Sequence, residues 1–182
     1  AFLAAIPEQV RQRAAHIEFP AALARWEAKL DLTKSLGLSN WYRIGPFDAP
    51  EFDEAHDKSF LDETNVDLTQ AHGDLKWEEM SQFVDGKVHK LHGGNSATYL
   101  YRSIHSPAAR QVEFSLGTDD GFKLWVNGKV AGEKKVRRGV RPNQDRLQAS
   151  LIEGENILLP KVANADGGTA FFFRALGYVL PV

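Results

Sequence analysis

The rhythm of apolar and polar positions along this 182-residue chain changes near Asn40. Before it the pattern is helical. Pro7 suits a first helical position and Glu8 suits the positive end of a helix dipole, so residues 7–17 predict a short helix. Pro20 interrupts the pattern and can open a second helix, in which Leu23, Trp26 and Leu30 recur at helical spacing. That apolar stripe must cover something, either the following domain or a neighbouring region. Gly37 predicts the C-terminal stop.

After Asn40 alternation with period two takes over. Val112, Phe114 and Leu116 alternate with Gln111, Glu113 and Ser115, which predicts a strand with one buried and one wet face. Phe122, Leu124 and Val126 predict the next strand, with Gly117 to Gly121 as the turn between them. Asn127-Gly128 is the preferred pair for a two-residue type I′ hairpin, with 129–131 returning along it. Further strands are predicted at 41–44, 77–84, 98–104, 147–151, 157–162 and 170–178, separated by turns at 153–156 and 166–168. Residues 48–58 read as an acidic, irregular loop. Many short strands at this spacing predict an all-β antiparallel sandwich of the jelly-roll type over 40–182, preceded by a helical lead-in or interdomain segment over 1–39.

Composition narrows the chemistry. Hydrophobic residues make up 43% and charged residues 25%, enough for a packed core. A formal net charge of -2 gives no general attraction to nucleic acid or an anionic membrane. No apolar run approaches the roughly 20 residues that span a bilayer. The chain has no cysteine, which excludes disulfides, thiolate catalysis and cysteine zinc sites within it. It opens on Ala1, which fits a segment of a larger protein.

The most specific motif is Asp119-Asp120-Gly121-Phe122-Lys123-Leu124-Trp125-Val126-Asn127-Gly128-Lys129. It resembles the "DDG…kvWvNGk" hairpin of galactose-binding-like jelly rolls, which often accompany glycoside hydrolases and other secreted proteins. Trp41 to Phe47, Leu151 to Leu159 and Phe171 to Arg174 resemble three further pieces of that family, in order. The resemblance extends to modules in large planctomycete multidomain proteins, beside cytochrome c-like domains. It implies a non-catalytic, carbohydrate-binding-like accessory module in an extracytoplasmic setting. One departure is Pro160, where the family carries an apolar β-former. Because proline cannot donate to a ladder, it predicts an edge or a bulge.

Asp119 and Asp120 are the leading metal candidates. In the similar PA14 lectin fold an adjacent aspartate pair holds calcium, and calcium is a hard cation that takes six to eight oxygens. Asn127 or nearby carbonyls are candidates to complete that shell. The plainer reading is a turn stabilised by carboxylates. A second acidic set, Asp48, Glu51, Asp53, Glu54 and Asp57, lacks EF-hand spacing. For a glycan, aromatic faces that stack on a sugar ring are required, and Trp77, Tyr99, Tyr101 and Trp125 are the candidates. Tyr99 and Tyr101 share a phase; Trp125 is out of phase with its apolar neighbours, so it is either exposed or packed beneath the N-terminal helix. The same rings serve equally as core. His72, His89, His92 and His105 read as exposed histidines rather than a zinc set. Lys134, Lys135, Arg137, Arg138 and Arg141 form a basic run that suits either solvent or an anionic polysaccharide. No catalytic signature is present. Two roles stay open: a glycan-binding accessory module, or a structural module that docks onto adjoining domains without a sugar site.

Overall fold

The computed structural model describes residues 36–176. The predicted helices before Gly37, the stripe at Leu23, Trp26 and Leu30, and the end of the strand predicted over 170–178 lie outside the described residues. Within them the chain forms β1 (Gly37–Leu38), β2 (Trp41–Asp48), α1 (Phe52–Asp57), β3 (Glu78–Met80), β4 (Val88–Leu91), β5 (Ser96–Ser106), β6 (Arg110–Asp119), β7 (Gly121–Val126), β8 (Lys129–Lys134), β9 (Asp145–Leu151), β10 (Gly154–Asn164) and β11 (Thr169–Leu176). All pairings are antiparallel. The larger sheet runs β3-β2-β5-β10-β7-β8, with β1 also on β5, and the smaller runs β4-β11-β6-β9. This is the all-β sandwich that the alternation predicts.

Period-two alternation explains why the sheets stack. Leu100, Ile104, Phe122, Leu124, Val126, Leu158 and Val162 of the large sheet meet Val112, Phe114, Leu116, Phe171 and Phe173 of the small one. Each such side chain contributes about 1.5–3 kcal/mol when fully buried. Trp41 anchors this layer edge-on to Phe171 and Phe173, with ring centroids 5.7 and 5.1 Å away. A second apolar cluster lies on the outer face of the large sheet: Ile44, Phe47, Tyr99, Trp125 and Leu159, covered by side chains from the segment after α1.

The Asn127-Gly128 pair makes the hairpin turn, with φ of 52° and 72°, and Val126 pairs with Lys129 across it. Several expectations change. Gly37, expected as a helix stop, lies in β1 and pairs with His105. Residues 48–58 contain α1, whose Phe52 and Ala55 pack on Ala163 and Ala165 while Asp53 and Glu54 occupy the first turn. The strand expected over 77–84 ends at Met80, where Phe83 N–H bonds back to the Met80 carbonyl. Gly117 and Thr118 belong to β6, and the Asp119-Asp120-Gly121 corner passes the chain from the small sheet to the large one. Pro160 lies in an interior strand without a bulge. Its pairing to β7 is continuous through Leu124, and the missing N–H falls between Leu158 and Lys161, where β10 and β5 are not paired. Among the described residues no helix is long and apolar enough to cross a membrane.

Candidate functional site

The aspartate corner is a clasp. Asp120 is buried, and each of its carboxylate oxygens already accepts a backbone N–H: Oδ1 from Arg138 at 2.6 Å, Oδ2 from Ala165 at 2.9 Å. Its own carbonyl accepts the Thr118 hydroxyl at 2.8 Å. Burial, followed by the neighbouring Asp120 charge, raises the Asp119 carboxyl above the usual range, and the Val140 N–H partly offsets this. Asn127 stands at the other end of β7, about 20 Å away for a six-residue strand. Its Oδ1 is occupied by Ile157 N–H. No group of three His, Cys, Asp or Glu side chains placed to hold a metal ion occurs among the described residues. Asn127 therefore stands too far from Asp119 and Asp120 to share one calcium shell with them. Asp120 holds together the loop after β8 and the β10–β11 turn.

The four candidate rings divide. Tyr99 and Trp125 are buried, at 0% and 5% exposure, so neither presents a face to a ligand. Trp125 packs in the outer cluster with Leu159 and the covering segment, which answers the question its phase raised. Trp77 and Tyr101 are half-buried on that same outer side and meet edge-on at 6.1 Å. Tyr42, not singled out by sequence, extends the row, its ring 6.2 Å from Tyr101.

Trp77 also borders a shallow open surface cleft, lined by Asp62, Asn65, Asp67, Gln70 and His72. Two matching turns build it. Asp62 Oδ1 accepts the Thr64 N–H at 2.9 Å and its hydroxyl at 2.7 Å. Asp67 Oδ1 does the same with Thr69, at 2.8 and 2.7 Å. Asp-x-Thr occurs three times in the sequence, at 31–33, 62–64 and 67–69, and in the last two, five residues apart, each aspartate closes a local turn on its own chain. The threonine hydroxyls, then the backbone N–H groups, hold both carboxyls below the usual range. The second oxygen of each aspartate has no partner among the described residues. The cleft is braced by the β7–β8 turn: a Cβ on Gly128 would lie 2.8 Å from the Thr64 carbonyl. The paired Asp-x-Thr signal was readable in sequence; its closeness to Trp77 was not.

Most of the remaining candidates are engaged within the domain. His89 Nε2 faces the Val84 backbone and its ring stacks on Phe83. His105 meets Glu155. In the basic run, Lys134 and Arg138 share Asp145, and Lys135 meets Asp53 and Asp57 at 3.0 and 2.9 Å. Arg137 lies over Phe52. Most of this positive charge is thus neutralised within the domain.

No family model matches the chain, and no curated protein matches it in sequence. Among solved structures it is similar to a PA14 domain of the antifreeze protein MpAFP, at 14% identity and a TM-score of 0.35 over 44% of each chain. It is similar to a PA14 sugar-binding domain from an RTX adhesin, at 18% identity and 0.31 over 44% of this chain and 47% of that one. A GH31 α-xylosidase of Xanthomonas citri aligns with 79% of this chain, at 16% identity and 0.40, over 15% of its own length. The chain thus spans less than half the length of each of these proteins.

Proposed function

We propose that this chain is a non-catalytic, carbohydrate-binding-like module whose sugar site is the cleft beside Trp77. One observation carries the reading: a half-buried indole borders a shallow cleft edged by two carboxylates and two carboxamides. An aromatic face receives the apolar face of a pyranose, and carboxylate and amide oxygens accept its hydroxyls. The cleft is an open surface depression that encloses no ligand-sized volume, unlike the pockets of roughly 300–1,000 Å³ that engulf a ligand. The ligand is therefore a single ring or chain end presented edgewise, with Tyr101 and Tyr42 alongside for a neighbouring residue of a longer glycan. The module would hold a larger extracytoplasmic protein near polysaccharide, raising effective concentration without chemistry of its own.

The test is a glycan array followed by NMR titration of the hits. Binding at millimolar affinity or better, with shifts centred on Trp77, Asn65 and Gln70 and lost in Trp77→Ala, is expected. Shifts centred elsewhere, or no binding across neutral and anionic glycans, would remove this reading.

A further inference from the structure

Lys161 lies in the middle of β10 with 1% of its surface exposed. It shares the outer face with Leu159, between its register partners Tyr99 on β5 and Lys123 on β7. Its ammonium donates to the carbonyls of His56 at 2.9 Å and Lys58 at 2.5 Å. It stands 3.7 Å from Glu63 Oε1. Glu63 in turn accepts the Tyr99 hydroxyl at 2.6 Å and the Ser59 hydroxyl at 2.8 Å. Tyr99 accepts the Phe60 N–H at 3.3 Å. One amine and one phenol on the sheet thus hold four positions of residues 56–63, and Leu61 and Asp62 of that same stretch line the cleft.

A lysine in this place is costly unless its donors are used. An apolar residue would fill the volume and leave the two carbonyls unpaired.

We propose that Lys161 is a positioning residue for the cleft: its buried amine fixes residues 56–63 on the outer face of the large sheet and so places Leu61 and Asp62. The functional consequence rests on the sugar-site reading; the latch itself does not.

The latch has a pH signature. The charged and titratable groups facing Lys161 are Asp57 from α1, Glu63 from the covering segment, Tyr99 from β5 and Lys123 from β7; His56 and Lys58 face it through their carbonyls. Burial outweighs the favourable Glu63 and Asp57 charges and, with Lys123, lowers the Lys161 pKa from 10.5 to about 8. Two carbonyls suit the two hydrogens of a neutral amine. When residues 56–63 lift away the amine meets water and regains an ordinary pKa. The open form then binds more protons than the closed form between pH 8 and 10.5, so opening becomes rarer as pH rises. Between pH 7 and 9 the opening constant falls roughly tenfold. A cover held only by an ion pair to Glu63 would loosen instead.

The experiment is native-state amide exchange by NMR on the full chain, corrected for the intrinsic pH dependence of exchange, with the Phe60 amide as the reporter. A roughly tenfold fall in opening from pH 7 to 9 is expected. A flat or rising profile overturns the proposal. In Lys161→Met, opening at Phe60 should rise at least about tenfold at pH 7, as two buried carbonyls lose their donor, and its dependence on pH should vanish. Wild-type opening retained in that variant would overturn the proposal too. Should Lys161→Met not fold, the wild-type profile decides alone. A wild-type protein that binds no sugar yet shows the Phe60 profile keeps the latch and loses the sugar site.

Discussion

Asn127 and Asn156 are joined side chain to side chain, the Asn127 Nδ2 donating to Asn156 Oδ1 at 2.8 Å. Asn127 Oδ1 accepts the Ile157 N–H at 2.8 Å, and Asn156 Nδ2 donates to the Ile152 and Gly154 carbonyls at 2.9 and 3.1 Å. Asn156 Oδ1 also accepts the Ile152 N–H at 2.8 Å. The Asn-Gly turn and the Gly-x-Asn segment, 29 positions apart, are thus one staple. Asn156 has no exposed surface, so truncating it strands several buried backbone groups. Asn156→Ala should cost about 2–4 kcal/mol, read from the midpoint of a urea titration with the slope unchanged.

Gly128 is constrained twice, by a φ of 72° and by the Thr64 carbonyl. Gly128→Val should destabilise by about 1–3 kcal/mol and displace the Asp62 turn. Amide shifts at Thr64 and Asn65 larger than those in β10 would confirm that the hairpin tip braces the cleft.

Two tryptophans of one outer face should behave in opposite ways. Trp125 is packed, and Trp125→Ala should cost about 3–5 kcal/mol. Trp77 is half-buried at a rim, so Trp77→Ala should cost no more than about 1–2 kcal/mol while abolishing any sugar response. Thermal unfolding of both variants beside glycan titration separates these outcomes.

The aspartate corner should ignore calcium. Millimolar calcium chloride and a chelator should leave the thermal midpoint unchanged, since a ligand bound only to the folded form would raise it by mass action. Asp120→Ala should instead lower stability by about 2–4 kcal/mol, with or without calcium, because it unpairs the Arg138 and Ala165 N–H groups. A calcium-dependent rise lost in that variant would restore a metal to the corner.

The sandwich was legible because its strands alternate: the inward set Phe122, Leu124 and Val126 is visible in sequence, as are Asn127 and Gly128 at their turn. What did not show was which sheet each strand joins. Asp119 and Asp120 look like a hairpin turn, yet the chain changes sheets there, and only long-range pairing decides that. Trp125 was open because the segment that buries it carries no periodic signal of its own. Pro160 misled because propensity describes a strand alone, whereas its missing donor falls opposite a stretch of β5 where the paired register is interrupted. Of the candidate site, Trp77 and Tyr101 were readable; Tyr42 and the flanking carboxamides came together only through the fold. Lys161 left one faint trace, a lone cation in the apolar run from Ile157 to Ala163.

Trp41 on β2 and Trp125 on β7 stand on opposite faces of the large sheet, Trp41 between the sheets and Trp125 beneath the outer cover, and so occupy different strata of one molecule. Each stratum thus carries its own indole chromophore. Variants keeping one of the two, with the other tryptophans made phenylalanine, would fluoresce for a single stratum. Coincident emission curves on heating would mark a sandwich and cover that melt as one cooperative unit; an earlier transition at Trp125 would mark a cover that detaches while the sheets remain stacked.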